Sequence, residues 1–348
     1  MANTNNYLPL IFLYEKFIAE AKSGKRLQKN GKFLSKSTIK NYESVLFNLK
    51  SFFISKNEDF YINTYYKYSK RNFITEKRKY DKFYRGFTDF LYAKKCTDNY
   101  VGSVVKNLRT FFIYLNQSKG YQTGEFCKNF YARREDIPII VLSQEQLQYL
   151  IIDKKFHMEL LPHLQISKDI FVIGCTIGLR FSDLMSLRKR NLEMNGDKRY
   201  IVATSKKTET ITRIKIPSYI TSLLKKYNGK QTTLLPSISM NQFNNNIRTI
   251  AQLAGWTNEV GKVRSRRGVK RELKKNGSVY RFCDLMSSHV MRRTAITTLL
   301  VLGMPETLVR KISGHAANSK EFFKYVKYSE AFLDNETDKA FDKLINAI

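Results

Sequence analysis

Apolar residues recur at helical spacing through most of the first third of the chain. A short apolar stretch, Leu8 to Leu13, is followed by a Lys/Ser/Gly-rich segment over 21–36 that reads as a basic loop. Beyond it, Ile39, Tyr42, Val45, Leu46, Leu49, Phe52 and Phe53 fall on one helical face, and Ser37 or Thr38 can cap that helix. A second helix is predicted over 79–93 from Tyr80, Phe83, Phe87, Phe90 and Leu91. A third starts near Asp98, carries Val101, Val104, Val105, Leu108, Phe111, Phe112 and Leu115 on one face, and stops before Gly120. The first 118 residues are therefore expected to be all-helical. Gly120, Gly124, Arg133, Arg134, Glu135, Asp136 and Pro138 then interrupt the pattern, which places a linker over 119–141 and a domain boundary at 135–141.

After the linker the periodicity mixes. Ser143 with Gln146 three residues on has capping-box spacing. A helix over 166–177 runs into Gly178-Leu179-Arg180, and Ser182 or Asp183 can cap a short helix from Leu184 to Arg188. Arg199 to Thr204 and Arg213 to Pro217 read as two strands joined by a polar turn, Ser205-Lys206-Lys207-Thr208-Glu209. Helices are predicted near 240–254, 289–302 and 305–313. No internal repeat and no long low-complexity tract occurs.

Charge narrows the function. The 348 residues hold 61 Lys+Arg against 30 acidic residues, a formal net charge of +31. An excess of that size points to a polyanion, nucleic acid first, because neutralising phosphates releases counterions. The densest basic segment is 261–281, with Lys262, Arg264, Arg266, Arg267, Lys270, Arg271, Lys274 and Lys275. No apolar run reaches the ~18 residues a membrane span needs, and no basic n-region precedes Leu8, so no signal peptide is read. Cys96, Cys127, Cys175 and Cys283 are widely spaced, without a Cys-x-x-Cys pair or a His-x-x-x-His. That argues against a metal site or a disulfide framework and suits a reducing cytoplasm.

Breaking a phosphodiester by side chains alone needs a nucleophile, cations around the non-bridging oxygens, a base, and an acid for the leaving oxygen. Arg180 lies at a helix junction with Asp183 three residues on, so the carboxylate can hold the guanidinium fork. His289 and Arg292, at i and i+3 in Ser288-His289-Val290-Met291-Arg292, share a helix face. Ser313-Gly314-His315 precedes Tyr325 by ten residues. Lys206-Lys207-Thr208 sits at the predicted hairpin tip, where a flexible ammonium can enter a groove. Each fragment alone reads equally well as a cap, a core-edge histidine, a packing tyrosine or a solvated turn.

Their order is what carries information. Arg, Lys on a hairpin, His-x-x-Arg, Gly-His and a Tyr near the C-terminus resemble the tyrosine recombinase (phage integrase) family, most strongly over 142–328. The helical first part resembles the family's core-binding domain in pattern only. The resemblance implies a mainly α fold with a small β-hairpin or sheet: an N-terminal extension (1–34), a helical DNA-binding domain (35–135), a mixed catalytic domain (136–328) and a C-terminal tail (329–348), the two domains forming a C-shaped clamp on DNA.

It further implies a site-specific recombinase that works without metal, ATP or other cofactor. Tyr325 would attack the scissile phosphate to give a 3′-phosphotyrosyl bond. Arg180 and Arg292 would clamp the non-bridging oxygens, and His315 would add a hydrogen bond to the phosphate. His289 would assist the Tyr325 proton, Lys207 would protonate the leaving 5′ oxygen, and Asp183 would orient Arg180. Two departures stand out. Tyr325 lies one residue further from His315 than the family's common spacing, and the hairpin is about two residues longer than its common pattern. No full arm-binding domain is visible ahead of the first strong helix. Duplex DNA is the implied partner, with an accessory DNA-bending protein possible and a location at the nucleoid in the cytoplasm. The tail carries a net charge of −3 over Glu330, Asp334, Glu336, Asp338, Asp342, Lys339 and Lys343. It is expected to form a short helix on protein rather than DNA, linking protomers of a homotetramer. A non-catalytic helical DNA-binding regulator and a type IB topoisomerase are the alternative readings.

Overall fold

The computed structural model describes residues 7–346 except 29, 65, 66, 207, 208, 228, 230 and 231, and not the side chains of 335, 336, 339, 340 and 342–346. In chain order the elements are β1 (Tyr7–Pro9), α1 (Leu10–Lys22), α2 (Lys36–Lys56), β2 (Tyr61–Asn63), α3 (Lys70–Ala93), α4 (Asp98–Lys119) and α5 (Thr123–Phe126). They continue with α6 (Gln144–Ile152), α7 (Lys154–Glu159), α8 (Pro162–Ile177), α9 (Phe181–Leu184), β3 (Leu192–Asn195), β4 (Lys198–Thr204) and β5 (Ile211–Ile216). The last third holds α10 (Ser218–Lys226), α11 (Met240–Leu253), β6 (Lys262–Arg266), β7 (Val269–Lys275), β8 (Ser278–Val279), α12 (Ser288–Val301), α13 (Glu306–Ser313) and α14 (Lys320–Asn346). The fold is mainly helical, with three small sheets ordered β1–β2, β3–β4–β5 and β6–β7–β8.

The chain divides into two compact units: 1–137 with 263–273, and 138–262 with 274–348. The first unit is built on aromatic packing. Tyr14, Phe17, Tyr80, Phe87, Phe111, Phe112 and Phe126 are almost wholly buried in one cluster, and rings such as Phe17 and Phe111 meet edge to face at 5.4 Å. Ser35, not Ser37 or Thr38, caps α2, its hydroxyl accepting from the Thr38 amide at 3.2 Å. Helix α3 begins at Lys70, nine residues before the predicted start, because Ser69 caps it ahead of a polar first half.

Two expectations are corrected in this unit. Residues 1–34 are not set apart from the helical domain: α1 buries Leu10, Leu13, Tyr14, Phe17 and Ile18 in the same core. Residues 263–273 belong to this unit too, although they follow more than a hundred residues of the other. Their turn is fixed by Asp98 at the start of α4, whose carboxylate accepts the amides of Arg267 and Gly268, each at 2.8 Å. The Tyr92 hydroxyl donates to the same carboxylate at 2.7 Å, and Arg267 pairs with Asp89 at 2.6 Å. Burial alone would raise the Asp98 pKa, but these donors hold it below the ordinary carboxylate range. Strands β6 to β8 were not anticipated because Lys and Arg fill the positions where an apolar alternation would have marked them.

The second unit is organised around α8, whose residues Ile170 to Cys175 and Ile177 are buried throughout. Helices α11 and α12 pack against it. The approach of α12 is so close that a Cβ on Gly174 would lie 2.3 Å from the Met291 sulfur, so only glycine fits there. Residues 192–216 form an antiparallel three-stranded sheet, with Ile201 opposite Ile214 on its buried face. Helix α14 runs unbroken from Lys320 to Asn346, so the expected separate tail helix is the continuation of the helix carrying Tyr325; no Gly or Pro interrupts it. Among the described residues no helix is long and apolar enough to cross a membrane.

Candidate active site

The second unit brings four of the predicted residues to one place by four separate routes. Helix α8 ends at Gly178 in the left-handed conformation, and the chain turns so that Arg180 becomes the N-cap of α9. Its guanidinium donates to the Ser205 hydroxyl at 2.9 Å, at the end of β4. Asp183, 3% exposed, lies 4.0 Å from the same guanidinium and accepts the Lys206 amide at 3.2 Å. Thus the β4 end of the β4–β5 turn is tied twice to the Arg180 turn. Lys207 and Thr208, which follow Lys206 in the sequence, lie outside the described residues.

Arg292 comes from the inner face of α12 and is 4% exposed. It donates to the Gly178 carbonyl at 2.9 Å and to the Ser313 carbonyl at 2.6 Å. Two of its N–H bonds are thereby spent on backbone, which fixes the plane of the fork and leaves the rest for another acceptor. Burial, then the nearby Arg180, lowers its pKa to about 10, with Tyr325 and Asp183 acting in the opposite sense. His289 sits one turn earlier on α12, exposed at the helix start.

Helix α13 ends at Ser313, and Gly314 follows at φ +62°, a backbone that only glycine adopts without strain. That reversal sends His315 back toward α12, where its ring nitrogens both lie 3.4 Å from Arg292 Nη2. Burial, followed by Arg292, Arg180, Arg310 and His289, lowers the His315 pKa to about 3. The ring is therefore neutral at pH 7. Tyr325, on α14 and 7% exposed, closes the group: its ring centroid is 5.9 Å from that of His315. It is held by an apolar cluster of Ile296, Leu300, Val309, Phe322 and Val326. Tyr328 stands partly exposed, outside that cluster, with its pKa raised by burial.

The basic segment is not a uniform array. Arg267 is committed to Asp89 and the Tyr92 ring, Lys275 to Asp284 at 2.6 Å, and Lys262 lies over Tyr280 at 4.5 Å. Arg264 donates to the Val263 carbonyl, and the buried Nε of Arg266 has no partner among the described residues. Lys270, Arg271 and Lys274 are exposed on β7. Sequence reading missed Ser205, Ser313 and the Gly178 carbonyl as partners of the cations. Ser205 and Ser313 do directly precede the Lys-Lys and Gly-His motifs, which is the one signal that was available.

The chemistry of the group is that of an oxyanion site. Two guanidiniums and a neutral imidazole converge beside a phenol, with one carboxylate, Asp183, to offset them. Among the described residues no group of His, Cys, Asp and Glu could hold a metal ion.

The phage integrase family matches over residues 162–330. Among solved structures, the XerH site-specific recombinase bound to a palindromic difH substrate superposes with a TM-score of 0.62 at 14% identity, covering 94% of this chain and 95% of that one. A lambda integrase dimer bound to a COC′ core site gives 0.60 at 12% identity, covering 93% and 78%. The Tn1549 transposon integrase with a circular intermediate DNA gives 0.58 at 14% identity, covering 91% and 95%. No curated protein matches the chain.

Proposed function

The chain carries a phage integrase family domain over residues 162–330 and is a tyrosine recombinase; from that premise we propose that it recombines specific DNA sites through a 3′-phosphotyrosyl intermediate on Tyr325. The observation that carries this reading is the convergence of two guanidiniums, Arg180 and Arg292, with His315 beside Tyr325, Asp183 being the carboxylate that pairs with them. A site this rich in buried positive charge is complementary to a phosphate, and more so to the extra charge of a pentavalent transition state.

In the proposed reaction the Tyr325 oxygen forms a bond to phosphorus while the bond to the 5′ oxygen breaks. The tyrosine proton passes toward His289 or solvent, since a phenol titrates near pH 10 and needs help at neutral pH. The leaving oxygen takes a proton from Lys207. Arg180 and Arg292 hold the non-bridging oxygens, Asp183 and Ser205 hold Arg180, and His315 adds a donor. One phosphate ester replaces another, so the energy needed for rejoining is kept in the phosphotyrosine. Attack by a 5′ hydroxyl from a second site then completes exchange.

The partner is duplex DNA, bound with help from the exposed Lys270, Arg271 and Lys274. We place protomer contacts in a homotetramer on the end of α14, where Leu333 and Phe341 are exposed; solved relatives include a lambda integrase tetramer bound to a Holliday junction. Incubation with fragmented genomic DNA, denaturation in SDS and sequencing of protein-attached strands tests the reading. One recurrent site, recovered with wild type and lost with Tyr325→Phe, is expected. Tight binding with no adduct from wild type would contradict it.

A further inference from the structure

The Ser313 hydroxyl has one hydrogen and two close neighbours. It lies 2.7 Å from the Val309 carbonyl oxygen and 2.8 Å from His315 Nδ1. The carbonyl can only accept, so the hydroxyl hydrogen goes there, as a helix-terminal serine bonding back four residues commonly does. The Ser313 oxygen then faces Nδ1 with a lone pair. Two lone pairs at 2.8 Å repel, so Nδ1 must carry the hydrogen. That is the reverse of the tautomer a free imidazole prefers in water, and it leaves Nε2 bare.

We propose that Ser313 is a positioning residue that clamps His315 in the Nδ1–H tautomer, so that the proton His315 gains when a DNA phosphate arrives enters at Nε2 and is aimed at that phosphate. The phosphate half of this rests on the recombinase reading; the tautomer half does not.

The groups that disfavour the charged ring face it from several elements. Arg292 and His289 face it from α12, Arg180 from the turn after α8, and Arg310 from α13. From α14 the rings of Phe322 and Tyr325 face it, at 5.4 and 5.9 Å. Burial first, and then the surrounding cations, keep the imidazole neutral, and an incoming dianionic transition state reverses the sign of the local field. The Ser313 oxygen is the one neighbour that stabilises both the Nδ1–H neutral ring and the doubly protonated ring. Ser313 is buried, and its carbonyl also receives Arg292, so removing the hydroxyl alone tests the clamp without removing that second bond.

The experiment uses full-length protein with ¹⁵N-labelled histidine. The chain has four histidines, and His315→Gln identifies the resonance. In DNA-free wild type at pH 7, long-range ¹H–¹⁵N correlation is expected to show neutral His315 with hydrogen on Nδ1. Ser313→Ala is expected to move it to Nε2–H. On the trapped DNA site, Ser313→Ala should slow adduct formation on the order of tenfold, the worth of one hydrogen bond, and displace the pH profile. Ser313→Thr, which keeps the hydroxyl, should restore both. An Nε2–H ring in wild type, or an unchanged tautomer and pH profile in Ser313→Ala, overturns the clamp. A tautomer switch in a protein that forms no adduct would keep the clamp and overturn the recombinase reading instead.

Discussion

Arg180 donates to the hydroxyl of Ser205 at 2.9 Å, joining the turn after α8 to the end of β4. With the Lys206 amide on Asp183, this bond makes the hairpin turn and the first arginine one assembly. Ser205→Ala should therefore slow DNA cleavage by about tenfold through a looser Arg180, one hydrogen bond's worth. Arg180→Lys should cost more, about 10²–10³-fold, because an ammonium cannot reproduce the guanidinium fork. Single-turnover cleavage rates check both. Equal rates for wild type and Arg180→Lys would remove Arg180 from the chemistry.

Asp98 makes a separable prediction about stability. Its carboxylate receives three donors, two of them backbone amides at the turn of a distant hairpin. Asp98→Asn turns one acceptor into a donor facing a donor, which should cost about 1–3 kcal/mol. Because the folded pKa is depressed, the contribution is present above the unfolded value near 4 and fades as pH falls through the folded value. Urea denaturation at pH 7 and at pH 3 should show the wild type and Asp98→Asn far apart in the first and closer in the second. Constant separation would show that the charge plays no part.

His315 acts in the same direction through a different pH window. Folded protein keeps it neutral down to about 3, whereas the unfolded chain protonates it near 6.5. The unfolded state thus binds the extra proton between those values, and stability falls as pH drops through that window. His315→Gln should flatten that part of the curve. Saturating DNA should do the reverse of acid, with proton uptake on binding, measurable by calorimetry in buffers of different ionisation enthalpy.

Lys270, Arg271 and Lys274 are exposed on β7. Replacing all three with Gln should weaken DNA binding similarly for all sequences and reduce the salt slope by about 2.7, near 0.9 for each phosphate no longer neutralised. Arg267→Gln should lower stability more than affinity, since its charge is already paired with Asp89. A loss confined to one base position would mean that β7 reads sequence.

The helices and the site were legible in the chain for different reasons. Helical periodicity gave α2 and α4 because each buries one apolar face against a core, whereas α8 and α12 are buried around most of their circumference. Helix α1 starts inside the apolar run Leu8 to Leu13 and was not singled out, although Leu10, Leu13, Tyr14, Phe17 and Ile18 repeat at helical spacing. The β6–β7 hairpin was read only as charge, since Asp98 meets Arg267 across 169 positions and no local pattern encodes that. Residue types and their order singled out Arg180, Arg292, His315 and Tyr325, which the structure brings close together. The serines that orient them are chemically ordinary, and only geometry distinguishes Ser205 and Ser313 from the other serines.

The identity of the nucleophile is the central claim, and the covalent adduct itself can answer it. Trapped wild-type protein, trimmed with nuclease and digested with trypsin, should yield one peptide carrying a nucleotide on a tyrosine, and fragmentation in the mass spectrometer should place it on Tyr325. A nucleotide on Tyr328, or on any residue other than Tyr325, would contradict the account.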